Sequence, residues 1–340
     1  MGTANPVLIE ITRGQLVESS HRGAIAIADA SGTIMLAVGN VDHPVYPRSS
    51  LKPLQALPLL ESGAAAAFGL SDEEVALACA SHSGEPMHTQ RVGVWLARLG
   101  LSVADLACGP HPVRDEPTRT AMLCAHEDPT AIHNNCSGKH TGFLTLAKHL
   151  GAPTAGYVAL EHPVQRAVHA VIAELGGLDG PLPWGVDGCA APNFALPLAA
   201  FARALASFTA PDRQSPARAA AMQRILKAMM TYPELVSGTG RACAILMRAA
   251  GGRATVKTGA EGVFAAIIPH KQLAIALKID DGATRASETT MAYLLERLGL
   301  LTADAAALRL ARTPILNTKA MVVGECRAAP LLASLDLARL

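Results

Sequence analysis

Two side chains in the stretch PVYPRSSLKPLQALPLLESGA, residues 44–64, have the types and spacing for acyl transfer. Ser49 and Lys52 stand three residues apart, so on a helix opened by Ser49 they share one face. A serine hydroxyl is a weak nucleophile at neutral pH and needs a neighbour to take its proton. A lysine can do this only when desolvation or a nearby cation lowers its pKa. The apolar run after Lys52 offers desolvation. The same residues also read as a helix cap followed by a snorkelling lysine, so this spacing alone does not decide.

Two further stretches add to it. ACASHSGEP, residues 78–86, places Ser81 and Ser83 on a loop where an apolar helix is broken by Gly84 and Pro86. VKTGAEG, residues 256–262, sets Lys257 and Thr258 beside Gly259 at a strand junction, where a missing side chain lets a ligand approach the backbone. S-S-L-K, S-H-S and K-T-G thus follow one another in the order, and in the helix, loop and strand contexts, that penicillin-binding proteins and class A β-lactamases use. Ser83 stands where those enzymes have asparagine, which counts against a β-lactam substrate. In this arrangement Lys52 and Lys257 would face one cavity, each disfavouring the other's charge.

HNNCSGKHTGFL, residues 133–144, and GVDGCAAPNFALPL, residues 185–198, look made for backbone exposure rather than packing. The first gathers imidazole, amide, thiol and amine groups at a helix start. Cys136 and Lys139 are again three apart, and Cys189 sits in a glycine-flanked turn. Neither C-x-x-C nor H-x-x-x-H is present, so spacing alone favours buried free cysteines over zinc. His82, His133 and His140 fall inside polar motifs. Glu85, Asp187 and Asp280 are similarly placed, but carboxylates there are more often hydrogen-bond anchors, and DDGATRA, residues 280–286, reads as a helix cap.

The elements that must position these groups can be read from periodicity. VLIEIT, residues 7–12, and the pair GAIAIAD and TIMLAVG alternate as hairpin strands do. Ala/Leu-rich helical spacing then runs over 51–67, 72–80, 87–99, 138–150, 161–176, 193–207, 215–230 and 241–250. Strands return in RATVKTG, GVFAAIIP and QLAIALKID, and a helix follows from Thr284 to Gly299. This is an α+β order, an antiparallel sheet from the chain ends packed against a large helical block. It suggests a single catalytic unit of two lobes, sheet from about 1–48 and 251–340, helices over about 50–250. Residues 301–340 are the least legible.

The totals exclude several classes. Half of the 340 residues are apolar, enough for a sizeable core, and a net charge of +1 with interspersed signs argues against nucleic acid or an anionic membrane surface. The start, MGTANPVLIEITRG, lacks a basic region followed by an apolar run, and apolar stretches are interrupted before spanning length. Seven cysteines, an odd number, do not form a secreted disulfide framework. The expectation is a soluble cytoplasmic protein with a small neutral or zwitterionic ligand.

Taken together, RSSLKPLQALPLLESGA, ASHSGEPMH, HNNCSGKHTGFL, GVDGCAAPNFALPL, SGTGR and KTGAEGV resemble the asparaginase II family, the rhizobial-type or class 3 L-asparaginases. The resemblance implies a β-lactamase/penicillin-binding-protein-like fold, a homodimer, and hydrolysis of L-asparagine to L-aspartate and ammonia. It implies two serine-lysine pairs, Ser49 with Lys52 and Ser81 with Lys257, and zinc held by Cys136, Lys139 and Cys189. A lysine ligand must be a neutral amine. By loop position, Asn134, Asn135 and His140 are candidates to grip the substrate and Asp187 to support the zinc ligands. Competing readings are a serine-lysine hydrolase of another amide, such as a peptidase or β-lactam-recognising enzyme, and a non-catalytic protein that binds an amino acid or zinc.

Overall fold

Alternation near the N-terminus produces strands, but the second is longer than its sequence suggests. In the computed structural model, which describes residues 4–301, 303–337 and 339–340, the strand Leu16–Asp29 follows Val7–Arg13 directly. Its first half pairs with Val7–Arg13. Its second half, AIAIA, pairs on one side with Ile34–Val38 and on the other with Leu273–Ile279. The continuation through Ser19, Ser20 and His21 escapes a hydrophobic reading because that half is mostly exposed.

The chain divides into two units. The first comprises residues up to 50, 196–210 and 245–340. Its eight-stranded antiparallel sheet runs Thr313–Leu316, Val322–Ala328, Val7–Arg13, Leu16–Asp29, Leu273–Ile279, Val263–Ile268, Thr255–Thr258, with Ile34–Val38 as an additional partner of Leu16–Asp29. The two ends of the chain therefore meet in the sheet, with Ile11 opposite Cys326. Val263–Ile268 is buried at every position, and the helices Leu198–Ala206 and Thr284–Arg297 pack on the sheet. Burial on both faces explains why these strands read as apolar runs rather than alternations.

The second unit, residues 51–195 and 211–244, is helical. The run from Leu51 to Ala67, expected as one helix, is three short ones: Lys52–Gln55, Leu57–Glu61 and Ala64–Ala67. Pro58 cannot donate an N–H and its ring would strike the carbonyl of Leu54 in a continuous helix, while Gly63 turns the chain at φ +85°. The expected helix 193–207 starts only at Leu198, because Pro192–Phe194 and Leu196–Pro197 are short strands. A helix unforeseen in the sequence, Glu116–Cys124, is capped by Asp115, whose carboxylate accepts from the Thr118 N–H at 3.0 Å. The helices Asp72–Ala78 and Ser137–His149 approach at backbone distance: a Cβ on Gly138 would lie 2.4 Å from the Leu77 carbonyl oxygen. Among the described residues no helix is long and apolar enough to cross a membrane.

Candidate active site

In the first unit, Ser49 lies in the 3-10 turn Arg48–Leu51, just after Arg48, which adopts φ +53°. A left-handed backbone at a non-glycine residue is held only where its surroundings over-determine it, and such residues cluster at functional sites. The two neighbouring hydroxyls differ. Ser50 is fully buried and donates to the Pro47 carbonyl at 2.6 Å, whereas Ser49 is half-buried. The end of the Thr255–Thr258 strand comes up against this turn. A Cβ at Gly259 would lie 2.5 Å from the Pro47 oxygen and 3.2 Å from Ser50 Oγ. The glycine of K-T-G thus makes room for the serine turn, where the sequence suggested room for a ligand. Lys257, 2% exposed, donates to the Thr258 carbonyl at 2.9 Å.

In the second unit, Lys52 opens its short helix and is 1% exposed. Its Nζ donates to the Ala80 carbonyl and to Ser81 Oγ, the latter at 3.0 Å. The sequence reading pairs Lys52 with Ser49 and Ser81 with Lys257; the structure shows a contact between Lys52 and Ser81. The Ala80–Glu85 loop is fixed from several sides. The Ser81 N–H donates to the Val236 carbonyl at 2.8 Å, and Ser83 Oγ donates to Glu85 Oε1 at 2.5 Å. The Glu85 carboxylate also receives the Thr239 N–H at 2.8 Å and hydroxyl at 2.7 Å. Glu85 is therefore a hydrogen-bond anchor for the SGTGR segment. His82 is buried, stacks on His88 at 4.8 Å, and has its pKa well below the usual value, first because of burial and then because of His88 and Lys52.

The cysteine loops converge. Lys139 Nζ lies 3.1 Å from Cys189 Sγ, and the Cys136 thiol donates to the same sulfur. That hydrogen bond, helped by Lys139, holds the Cys189 thiol down at about 4 against the opposing effect of burial. The same bond, with burial, pushes Cys136 up to about 12. Burial alone would lower the Lys139 ammonium, but Cys189, Cys136 and Asp187 outweigh it and raise its pKa. Cys189 sits in a tight turn whose next residue, Ala190, has φ +67°, and the Asp187 carboxylate accepts the Gly188 N–H at 2.8 Å. Two soft sulfurs and a nitrogen suit zinc. Among the described residues no group of three or more His, Cys, Asp or Glu side chains could hold a metal, since this cluster's third member is a lysine.

A model of the family described as L-asparaginase II matches residues 9–328, nearly the whole chain. The chain belongs to the L-asparaginase II family. It is accordingly an asparaginase-type amidohydrolase. No curated protein shows significant similarity to it. Solved structures that match include a β-lactamase from Mycobacterium bovis (14% identity, TM-score 0.39, covering 78% of this chain and 89% of that one). They also include the D-alanine carboxypeptidase AmpC from Burkholderia cenocepacia (13%, 0.40, 85% and 92%) and Mglu in its native form in 4.3 M NaCl (14%, 0.47, 88% and 67%).

In this member of the L-asparaginase II family the three residues expected to grip substrate are placed differently. Asn134 is used up in tying two segments together: its Nδ2 donates to the Cys108 and Gly109 carbonyls at 2.8 and 3.0 Å, and its Oδ1 accepts the Cys136 N–H at 2.9 Å. Asn135 is half-buried, and its carbonyl accepts the His82 N–H at 3.2 Å. His140 is fully buried, and its Nδ1 meets the Tyr157 hydroxyl at 2.6 Å. That hydroxyl also receives the Ala107 N–H, and among the described residues His140 Nε2 is a buried ring nitrogen with no hydrogen-bond partner. Burial, then Lys139, lowers the His140 pKa to about 3. Sequence reasoning missed Cys108, a buried thiol raised to about 12 by burial and then by Cys136 and Cys189, and missed Tyr157. No motif surrounds either in the sequence; only the fold gathers them.

Proposed function

We propose that the substrate is L-asparagine, hydrolysed to L-aspartate and ammonia through a serine-lysine acyl-enzyme. Ser49 Oγ attacks the side-chain amide carbon, Lys52 takes the hydroxyl proton and passes it to the leaving nitrogen, ammonia departs, and water cleaves the resulting ester. Ser81 and Lys257 relay protons and hold the pair. The observation that carries this reading is the buried Lys52 amine seated 3.0 Å from a serine hydroxyl within a chain of this family. The Ser50 hydroxyl, committed to Pro47, supports Ser49 over its neighbour. The 3.0 Å contact itself favours a second assignment, Ser81 as nucleophile with the same base.

Cys136, Lys139 and Cys189 would hold zinc, with Asp187 beside them and Lys139 bound as the free amine. When bound, zinc supplies a Lewis acid and a concentrated positive charge. The buried His140 Nε2, without a hydrogen-bond partner among the described residues, supports the assignment of that residue to substrate. Asn135 would assist, while Asn134 shapes the loop. A cytoplasmic homodimer belongs to the same reading, and sedimentation of the purified chain tests the dimer.

Ammonia release from L-asparagine, with L-glutamine in parallel, is the deciding assay. Release that disappears in Ser49→Ala, with an acyl adduct trapped on Ser49 in wild type, is the expected result. An adduct on Ser81 would transfer the nucleophile's role there. A folded, zinc-loaded chain that releases no ammonia would overturn the asparaginase reading.

A further inference from the structure

His82 is next to Ser81 in the chain and bonded to the metal loop in space. Its backbone N–H donates to the Asn135 carbonyl at 3.2 Å and its Nε2 meets Ser137 Oγ at 2.9 Å. Its Nδ1 accepts the Gly84 N–H at 3.2 Å, so the neutral ring carries its proton on Nε2 and donates it to Ser137. Asn135 immediately precedes Cys136, and Ser137 opens the helix that carries Lys139. The other face of the ring is fixed: His88 stacks on it at an interplanar angle of 11° and donates from Nε2 to the Glu234 carbonyl at 2.9 Å. The ring is thus held by a stack and two hydrogen bonds, and the helix that Ser137 opens lies close to the Leu77 carbonyl, which a Cβ on Gly138 would meet at 2.4 Å.

We infer that His82 is a positioning residue that couples occupancy of the Cys136–Lys139–Cys189 site to the contact between Lys52 and Ser81. The inference rests on the zinc reading above and deepens it. A shift of the Cys136–Ser137 segment is transmitted through two hydrogen bonds to the residue that follows Ser81, and a shift of Ser81 is transmitted back. Binding free energies coupled in this way are reciprocal.

The test is zinc affinity by competition with a chromophoric chelator, on the full chain and on His82→Phe, His82→Gln and Ser137→Ala, with kcat and KM for L-asparagine and a thermal midpoint for each. Loss of an outer partner of a metal ligand's segment typically costs about 10- to 100-fold in metal affinity. His82→Phe and Ser137→Ala are expected to bind zinc at least about tenfold more weakly and to lose kcat rather than raise KM. His82→Gln, whose amide can donate to Ser137, is expected to recover part of both. If His82→Phe does not fold, Ser137→Ala decides. Wild type that binds zinc, with folded variants within about twofold of it, overturns the coupling alone; wild type that binds none overturns the metal reading and the coupling with it.

Discussion

Lys52 has one long side chain and two acceptors waiting for it. Replacing it with methionine keeps the stem but strands the buried Ala80 carbonyl, a loss of about 1–3 kcal/mol in stability. A missing general base also costs turnover, by about 10²–10⁴-fold. Lys52→Arg separates the two effects, because a guanidinium still donates to both acceptors yet cannot take a proton near neutral pH. The expected result is a folded protein by circular dichroism without ammonia release; full activity in Lys52→Arg would end the role given to Lys52. At this scale the sequence was most informative. Residue type within short motifs nominates Ser49, Lys52, Cys136, Lys139 and Cys189 as candidates, and the structure brings Lys139 to 3.1 Å from Cys189. The motifs could not show that Ser50 is tied to Pro47, that Asn134 is spent on the Cys108 and Gly109 carbonyls, or that Lys52 reaches Ser81, since each depends on chain segments distant in sequence or on a local turn geometry.

At the scale of elements, two junctions border the candidate site. One is the strand end at Gly259 against the serine turn. A methyl at Gly259 meets a backbone oxygen, not a flexible side chain, so the turn must move. Gly259→Ala should cost about 1–3 kcal/mol by overpacking and reduce kcat by more than Ser50→Ala does, measured on both variants at equal folded fraction. Equal effects would mean that the turn's position is not set by this strand. The other junction is the histidine stack. Burial comes first among the causes that depress the pKa of both His82 and His88, while Glu234 and Glu85 oppose it at His88. Above the ordinary histidine pKa of about 6.5 both rings are neutral whether folded or not, so stability is fully present. Below it the unfolded chain binds protons that the folded one refuses, and stability falls as pH drops toward the folded values, by at most about 1.4 kcal/mol per pH unit for each histidine. Urea midpoints at pH 7.5, 6.5 and 5.5 should therefore fall, and the fall should be shallower in His88→Gln; an unchanged slope would remove the stack as its source. Helix and strand existence was legible wherever periodicity ran unbroken. It failed at 51–67, where composition looked helical but Pro58 and Gly63 divide the run, and at 116–124, where the signal was a cap rather than an apolar stripe.

At the scale of the whole molecule, the least legible segment in the sequence closes the sheet. The hairpin Thr313–Leu316 with Val322–Ala328 carries few buried positions, which is why no pattern announced it, yet it pairs with Val7–Arg13, whose Leu8, Ile9 and Ile11 are at most 2% exposed. The family match spans residues 9–328, from the first of these strands to the end of the last. Without the hairpin, Val7–Arg13 becomes an unprotected edge with a row of unpaired backbone groups, a template for association. A chain ending at residue 312 should accumulate as aggregate or unfold without a cooperative transition. Gly324→Val probes the same joint in the full-length protein, since a Cβ there would lie 1.9 Å from the Thr12 carbonyl oxygen. It should destabilise the fold by at least about 1–3 kcal/mol and speed amide exchange across Val7–Arg13 more than across Val263–Ile268, which lies on the far side of the sheet. A soluble, active, cooperatively folding truncation would make the hairpin an appendage and leave the sheet's stability with the strands Leu16–Asp29 through Thr255–Thr258.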